Sequence, residues 1–480
     1  MSNEPQVPEA PPLATVKDIR TVYFIGIGGI GMSALARYFK ARGAAVSGYD
    51  KTESELTQAL VAEGIPVYYD ENVERAPKEA QLVVYTPAVP QEHAELVWYR
   101  QNGYRVVKRS DVLGAITNDT QNICVAGTHG KTTTTTMVAH IIRHSGEGGN
   151  AFLGGISVNY GTNFWQSFND LCIVEADEYD RSFWKLSPDI AIITSMDPDH
   201  LDIYGDEQTM QDAFVTFGNK IKPGGRLIHK FGLGRAKEIT VANKWSYSLQ
   251  NDAADVYASD IRVSEGGYEF DVQLPDTSIY DVRLNIGGMH NVENCIAAIA
   301  VAHCLEIPSD RIRNAVGAFK GVRRRFEYIV PPLKKESGGY VQPVLIDDYA
   351  HHPEELNALL KSARSLFPQR RITVIFQPHL FSRTKDLFHG FAKSLEWADR
   401  IILLPIYPAR ELPIEGVTSA LILREIDRED KHVMTKEELL SWAKTHATKI
   451  DKEFGEVIIT AGAGDIDALV PALKEIFANA

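Results

Sequence analysis

The chain has 480 residues, too many for one hydrophobic core, so it divides into roughly two to four domains. With 44% apolar and 24% charged residues it reads as a soluble globular protein, and no apolar run is long enough to span a membrane. A net charge of -13 excludes the basic footprint of a nucleic-acid binder, although local loops and metal ions can still hold anionic ligands.

Met1 to Val16 is acidic and proline-rich with no apolar signal-peptide stretch, so residues 1–18 read as a disordered lead-in. The strand Thr21–Ile25 leads into Gly26-Ile27-Gly28-Gly29-Ile30-Gly31 and a helix from Met32 to Arg42. The next strand, Ala45–Tyr49, ends at Asp50, about twenty residues beyond the glycines, which is the spacing of a dinucleotide fingerprint. Glycines alone say only that backbone approaches a phosphate or a neighbouring helix. An NAD site is the obvious reading, but it leaves a second phosphate loop unexplained. A nucleotide-sugar diphosphate here and ATP on the second loop would use both. Leu82 to Tyr85 is a further strand before Thr86-Pro-Ala-Val-Pro90, and the alternation implies parallel β-α-β units. The polar run Thr117 to Gln121 reads as a linker.

The second loop, Gly127-Thr128-His129-Gly130-Lys131-Thr132-Thr133, follows the apolar strand Asn122–Ala126 and opens a helix running to His144. A glycine turn there points backbone N–H groups at an anion, and the helix N-terminus adds its positive dipole end. The lysine then meets the β/γ-phosphates and a threonine hydroxyl can ligate Mg²⁺, so the chain is expected to handle ATP or GTP. The spacing departs from the general phosphate-loop pattern, with two residues between Gly127 and Gly130 instead of four.

Leu171 to Val174 and Ile190 to Thr194 continue the buried strands. A carboxylate at the end of the strand next to a phosphate loop is where an ATPase holds Mg²⁺, so Glu175 is the best candidate in Glu175-Ala-Asp177-Glu178. His200, in Asp197-Pro-Asp199-His200, shares that rim and is a candidate for a metal or acyl-phosphate role. Short alternating runs from Ala254 to Ile286 predict an antiparallel region. The helix Asn291 to Cys304 follows; Asn291 reads most simply as an N-cap, and Asn294, one turn on, would read a purine edge.

A third α/β segment begins near Tyr328, with strands Val344 to Ile346, Ile372 to Phe376, Ile401 to Leu404 and Val457 to Thr460, and with residues 331–342 as an exposed loop. Arg323-Arg324-Arg325 stands at its boundary; most basic triplets are solvated surface, but an arginine at a hinge above a phosphate loop could instead stabilise transferring phosphoryl charge. Asp347-Asp348-Tyr349-Ala-His351-His352 and Gln377-Pro-His379 through Arg383 lie at strand-to-loop junctions; lacking the helical pairing of a zinc motif, they read as polar groups facing a cleft. Cys124, Cys172, Cys295 and Cys304 stand alone in apolar stretches, as reduced thiols of a cytoplasmic protein would.

Taken together, the two glycine loops, Glu175-Ala-Asp-Glu178, Asp199-His200, His290-Asn291 with Asn294, Arg324-Arg325-Phe326, Asp347-Asp348-Tyr349 with His351-His352-Pro353, and Gln377-Pro-His379 resemble the Mur ligases from about Val22 to Leu473. Most closely they resemble the branch that adds L-alanine to UDP-N-acetylmuramate. The short phosphate loop is what this family carries. The resemblance implies a cytoplasmic, three-domain α/β enzyme of peptidoglycan precursor synthesis, a monomer or homodimer with no nucleic-acid or membrane partner. A Rossmann-like UDP-sugar domain would occupy 19–117, a phosphate-loop ATPase-like domain with a mainly parallel sheet and a small antiparallel region 118–326, and a Rossmann-like ligase domain 327–480.

It further implies ATP and Mg²⁺ as cofactors. Gly127 to Thr133 would cradle the phosphates and Lys131 contact the β/γ-phosphates, while Thr132 and Glu175 hold one Mg²⁺. His200 would serve a second Mg²⁺ or the acyl phosphate. Asn291 and Asn294 would approach adenine, and Arg325 and Asp348 would contact the nucleotide. Gly28, Gly29, Ile30, Gly31, Asp50 and Arg109 would hold the UDP-sugar, with His379 and Arg383 serving the reaction or the alanine carboxylate. Two departures stand out. No lysine occurs between Leu201 and Asn219, so no carbamate is expected, and Tyr68-Tyr69 replaces a histidine usual near the diphosphate. The competing readings are the related ligase that attaches a recycled tripeptide, whose first glycine loop usually reads differently, an NAD-dependent oxidoreductase on Gly26 to Gly31, and a non-catalytic nucleotide-sugar sensor.

Overall fold

The first apolar runs form a sheet buried on both faces. Strands β1 (Thr21–Ile25), β2 (Ala45–Tyr49), β3 (Val67–Tyr68), β4 (Leu82–Tyr85) and β5 (Val106–Lys108) lie in the order β3-β2-β1-β4-β5, every pairing parallel. Side chains alternate along a strand, so Val22 and Phe24 enter one hydrophobic cluster while Tyr23 and Ile25 enter another. That double burial is why the strand reads as unbroken apolar sequence. The strand order reverses between β1 and β4, which opens a crevice at their carboxyl ends. Gly26 to Gly31 sits there, and the helix Ile30–Ala41 starts inside the loop.

The computed structural model describes residues 13–198, 201–264, 266–333, 342–409, 411–451 and 453–479. They form two compact units: residues through Tyr257 with Gln273–Thr277 and Asn294–Ala315, and Ala258–Val272 with Ser278–Glu293 and Val316 onward. The first unit continues with β6 (Asn122–Ala126), β7 (Asn150–Ser157), β8 (Thr162–Trp165), β9 (Cys172–Glu175), β10 (Ile190–Ile193), β11 (Arg226–Lys230) and β12 (Asn243–Ser248). Their order is β12-β11-β10-β6-β9-β7-β8, parallel except for the β7–β8 hairpin.

Two expectations for this unit need correction. Thr117 to Asp119 is no linker but the last turn of the helix Arg109–Asp119, with Thr117 fully buried and bonded to the Gly114 carbonyl. Residues from Leu13 on are no disordered lead-in, because Leu13 and Val16 are buried in the first cluster and Thr15 donates to Asp119.

Strands β13 (Val256–Ser264), β14 (Gly267–Gln273) and β15 (Ser278–Leu284) neighbour one another in chain order. Their connections are too short for a parallel crossover, so they run antiparallel, as the sequence suggests. The last sheet comprises β16 (Glu327–Val330), β17 (Val344–Asp348), β18 (Arg371–Phe376), β19 (Arg400–Leu403), β20 (Lys431–Val433) and β21 (Glu456–Ala461). Its order is β16-β17-β21-β18-β19-β20, parallel except at β16. Among the described residues no helix is long and apolar enough to cross a membrane, and all four cysteines are free thiols.

Candidate active site

The phosphate loop is shaped by its neighbours. Gly127 has φ +133°, and a Cβ there would stand 2.0 Å from Thr194 Oγ1. Gly130, at φ +80°, caps the helix Lys131–His144, and its missing Cβ leaves room for Asn294, whose Oδ1 would otherwise be 2.6 Å away. The loop is pinned from the end of β10: Thr194 Oγ1 donates to the His129 carbonyl at 2.5 Å, and the His129 N–H donates to Ser195 Oγ at 3.0 Å. Thr128 Oγ1 donates to the Asp197 carbonyl at 2.7 Å. The result is a preformed helix N-terminus with a glycine at each bend, an arrangement suited to an anion such as phosphate. Asn294 sits against this loop.

Three carboxylates at the end of β9 and in the turn that follows take three different partners. Glu175 Oε1 accepts from Thr132 Oγ1 at 2.9 Å and its Oε2 accepts from the Gly154 N–H at 2.9 Å. Burial raises the Glu175 carboxyl above its ordinary range, and Lys131 and Thr132 oppose that. Asp177 Oδ2 lies 3.1 Å from Arg109. Glu178 Oε1 lies 2.6 Å from Lys131 Nζ, which also donates to the carbonyls of Gly127 at 2.8 Å and Thr128 at 3.4 Å. Thr132 and Glu175 are hard oxygen donors already in contact. They fit Mg²⁺, which takes one or two protein oxygens and completes its shell with phosphate and water. Asp199 and His200 lie outside the described residues.

At the first glycine loop, Asp50 Oδ2 accepts from the Gly28 N–H at 2.7 Å. Gly31 packs against Arg109: a Cβ there would be 2.3 Å from the guanidinium, which would have to move. Ile30, Gly31, Ala34 and Arg109, with Phe152, Gly154, Glu175 and Asp177, line a cavity of about 220 Å³. It joins the first glycine loop to the Glu175 carboxylate. Tyr69 donates to Thr57 Oγ1 at 3.0 Å.

In the second unit the basic triplet separates by role. Arg324, at φ +58°, donates from Nε to Asp347 at 3.1 Å and from Nη2 to the Gly462 carbonyl at 2.5 Å. Arg325 is exposed. Asp347 therefore does not face a cleft: it is 2% exposed, held by Arg324 and by Thr460 Oγ1 at 2.6 Å. Asp348 accepts from the N–H groups of Phe326 at 2.7 Å and Ala350 at 2.8 Å. Desolvation pushes its carboxyl up to about 6, with those bonds and Arg325 pulling the other way. Asn291 is not an N-cap. The helix starts at Met289, and the Asn291 amide donates back to the Gly287 carbonyl at 2.6 Å.

His379 stacks on Tyr407 with ring centroids 5.7 Å apart, and its Nδ1 is buried without a hydrogen bond in the structure. Desolvation lowers its basicity, followed by the charges of Arg383 and His351, so the ring is neutral at neutral pH. Tyr407 carried no signal in the sequence; it is placed by the backbone pairing of His379 with Tyr407.

Three family descriptions match the chain in order: Mur ligase family, catalytic domain, over residues 21–121; Mur ligase middle domain over 125–302; and Mur ligase, glutamate ligase domain, over 324–464. This chain is a Mur ligase. It is 46% identical over 468 residues to the UDP-N-acetylmuramate–L-alanine ligase of Cytophaga hutchinsonii, covering 95% of this chain and 96% of that one. It is 46% identical over 464 residues to the same ligase of Porphyromonas gingivalis, covering 95% and 99%. Among solved structures it is similar to the UDP-N-acetylmuramate-alanine ligase MurC of Thermotoga maritima, with TM-score 0.76, 27% identity and coverage of 95% and 98%. The Mur ligase has three α/β domains with mainly parallel sheets.

Proposed function

We propose that this Mur ligase joins L-alanine to the carboxylate of UDP-N-acetylmuramate, converting ATP to ADP and phosphate in peptidoglycan precursor synthesis. Near-full-length identity of 46% to ligases named for that reaction carries the reading. The muramyl carboxylate attacks the γ-phosphate, giving an acyl phosphate and ADP; the alanine amine then attacks the acyl carbon and phosphate leaves. A carboxylate is a poor electrophile, and phosphorylation gives it a leaving group.

The division of labour is 19–117 for the UDP-sugar, 118–326 for ATP and 327–480 for the ligase domain. Gly127 to Thr133 holds the phosphates by backbone N–H groups and Lys131 neutralises charge on the transferred group. Thr132 and Glu175, with His200, are the residues that would hold Mg²⁺, which when bound withdraws electron density from the phosphoryl oxygens. Gly28 to Gly31 cradle the diphosphate of the sugar nucleotide, Asp50 serves the same substrate and holds the loop through the Gly28 N–H, and Arg109 contacts the sugar nucleotide at the cavity. Asn291, Asn294, Arg325 and Asp348 serve the nucleotide. His379 and Arg383 serve alanine, the neutral imidazole accepting the ammonium proton and the guanidinium pairing with the carboxylate. The enzyme is assigned to the cytoplasm, as monomer or homodimer, with these small molecules as its partners.

The decisive assay follows ADP release with UDP-N-acetylmuramate, comparing L-alanine, the recycled tripeptide and no acceptor, with NAD reduction monitored in parallel. Alanine-dependent release is expected, abolished by Lys131→Ala in a folded protein. Retained alanine-dependent turnover in that variant refutes the assignment.

A further inference from the structure

Lys131 has a partner that the reaction leaves unused. Its ammonium has three N–H donors, and its three hydrogen bonds go to the carbonyls of Gly127 and Thr128 and to Glu178. Glu178 is deeply held: its side chain is 1% exposed, and its carbonyl accepts from the Arg181 N–H at 3.0 Å and from Tyr204 O–H at 2.5 Å. The lysine is therefore folded back on its own loop, its charge matched by a buried carboxylate. A buried pair of this kind is costly to break, because the remaining charge stays desolvated.

We propose that Glu178 is a positioning residue for nucleotide exchange, parking Lys131 so that an incoming β-phosphate must take the ammonium from it. The inference rests on the reading of this loop as the ATP site. Glu178 then lowers ground-state affinity for ATP and ADP and hastens ADP departure. A merely structural Glu178 would act in the opposite sense, since its loss would loosen the loop and weaken binding.

Glu178→Gln keeps a hydrogen-bond acceptor for Lys131 and removes the charge. Calorimetric titration with ADP and Mg²⁺, without sugar nucleotide or amino acid, is expected to show binding tightened on the order of tenfold. In turnover, KM for ATP and kcat should fall together as ADP leaves more slowly. Thermal melting checks the fold. If the glutamine variant does not fold, Glu178→Asp, which keeps the charge but shortens its reach, is expected to tighten ADP binding by a smaller factor. Unchanged or weaker ADP binding in a folded variant overturns the proposal. Absence of ADP binding to the unsubstituted enzyme would instead overturn the ATP-site reading, and this inference with it.

Discussion

Gly154→Ala tests the Glu175 carboxylate without replacing it. The backbone at Gly154 is not in the left-handed region, so alanine brings no conformational strain there. Its Cβ, however, would stand 2.3 Å from Glu175 Oε2 and 2.6 Å from both Cδ and Oε1. The carboxylate must swing away, losing the Gly154 N–H bond at 2.9 Å and the Thr132 bond at 2.9 Å. Removing the support that orients a metal ligand costs roughly 10–100-fold in metal affinity or activity, about 1.4–2.7 kcal/mol. The assay is the initial rate of ADP release against Mg²⁺ concentration at saturating ATP, with thermal melting as the control for folding. The half-saturating Mg²⁺ concentration should rise by one to two orders of magnitude while the melting temperature holds. A folded Gly154→Ala enzyme with an unchanged Mg²⁺ dependence would refute the assignment of Glu175 as a metal ligand.

Gly130→Ala places a side chain at φ +80° and 2.6 Å from Asn294 Oδ1, so ADP affinity should fall at least tenfold, read by calorimetry. Gly29→Ala is its contrast: φ is −62° and the nearest atom to the new Cβ is 3.6 Å away, so stability should change by less than about 0.5 kcal/mol in urea unfolding. His140 predicts acid lability. The Ala315 carbonyl can only accept, so Nε2 carries the proton and Nδ1 accepts from Tyr160 O–H, at 2.8 and 3.0 Å. Burial lowers this imidazole from 6.5 to about 4. The unfolded chain therefore binds the extra proton first, and stability is lost as pH falls from about 6.5 towards 4, by up to about 3 kcal/mol. The urea midpoint should drop between pH 7 and pH 4.5 in the unsubstituted protein, and less in His140→Gln; equal drops would sink the idea.

The sequence makes the glycine loops legible because each follows a strand buried on both faces, so a short apolar run ends at a polar turn. The strands that escape it lack that contrast. β7 carries Gly154-Gly155, β12 opens on Asn243-Lys244, and β16 is an antiparallel edge whose first residue is Glu327. Site chemistry divides the same way. Residue type and spacing single out Lys131, Thr132 and Glu175 as candidates, since each stands at a fixed position along one strand or helix, and the structure brings Thr132 and Glu175 into contact. Which of Arg324 and Arg325 is structural depends on a positive φ at Arg324, and no letter in the triplet encodes that. Asn291 misleads because the helix starts two residues before it, at Met289, turning a cap into an internal brace. Asp347 and Asp348 are adjacent on β17, so the pleat sends them to opposite sides, one into an ion pair and one onto backbone amides.

The end of β9 gives Glu175 to a hydroxyl, and the turn after it gives Asp177 to Arg109 and Glu178 to Lys131. The turn's length is therefore as constrained as its letters. One uncharged residue inserted in that turn would leave the charge untouched yet move Asp177 and Glu178 off their partners, so at this place the family should tolerate an exchange of side chains more readily than a change in spacing.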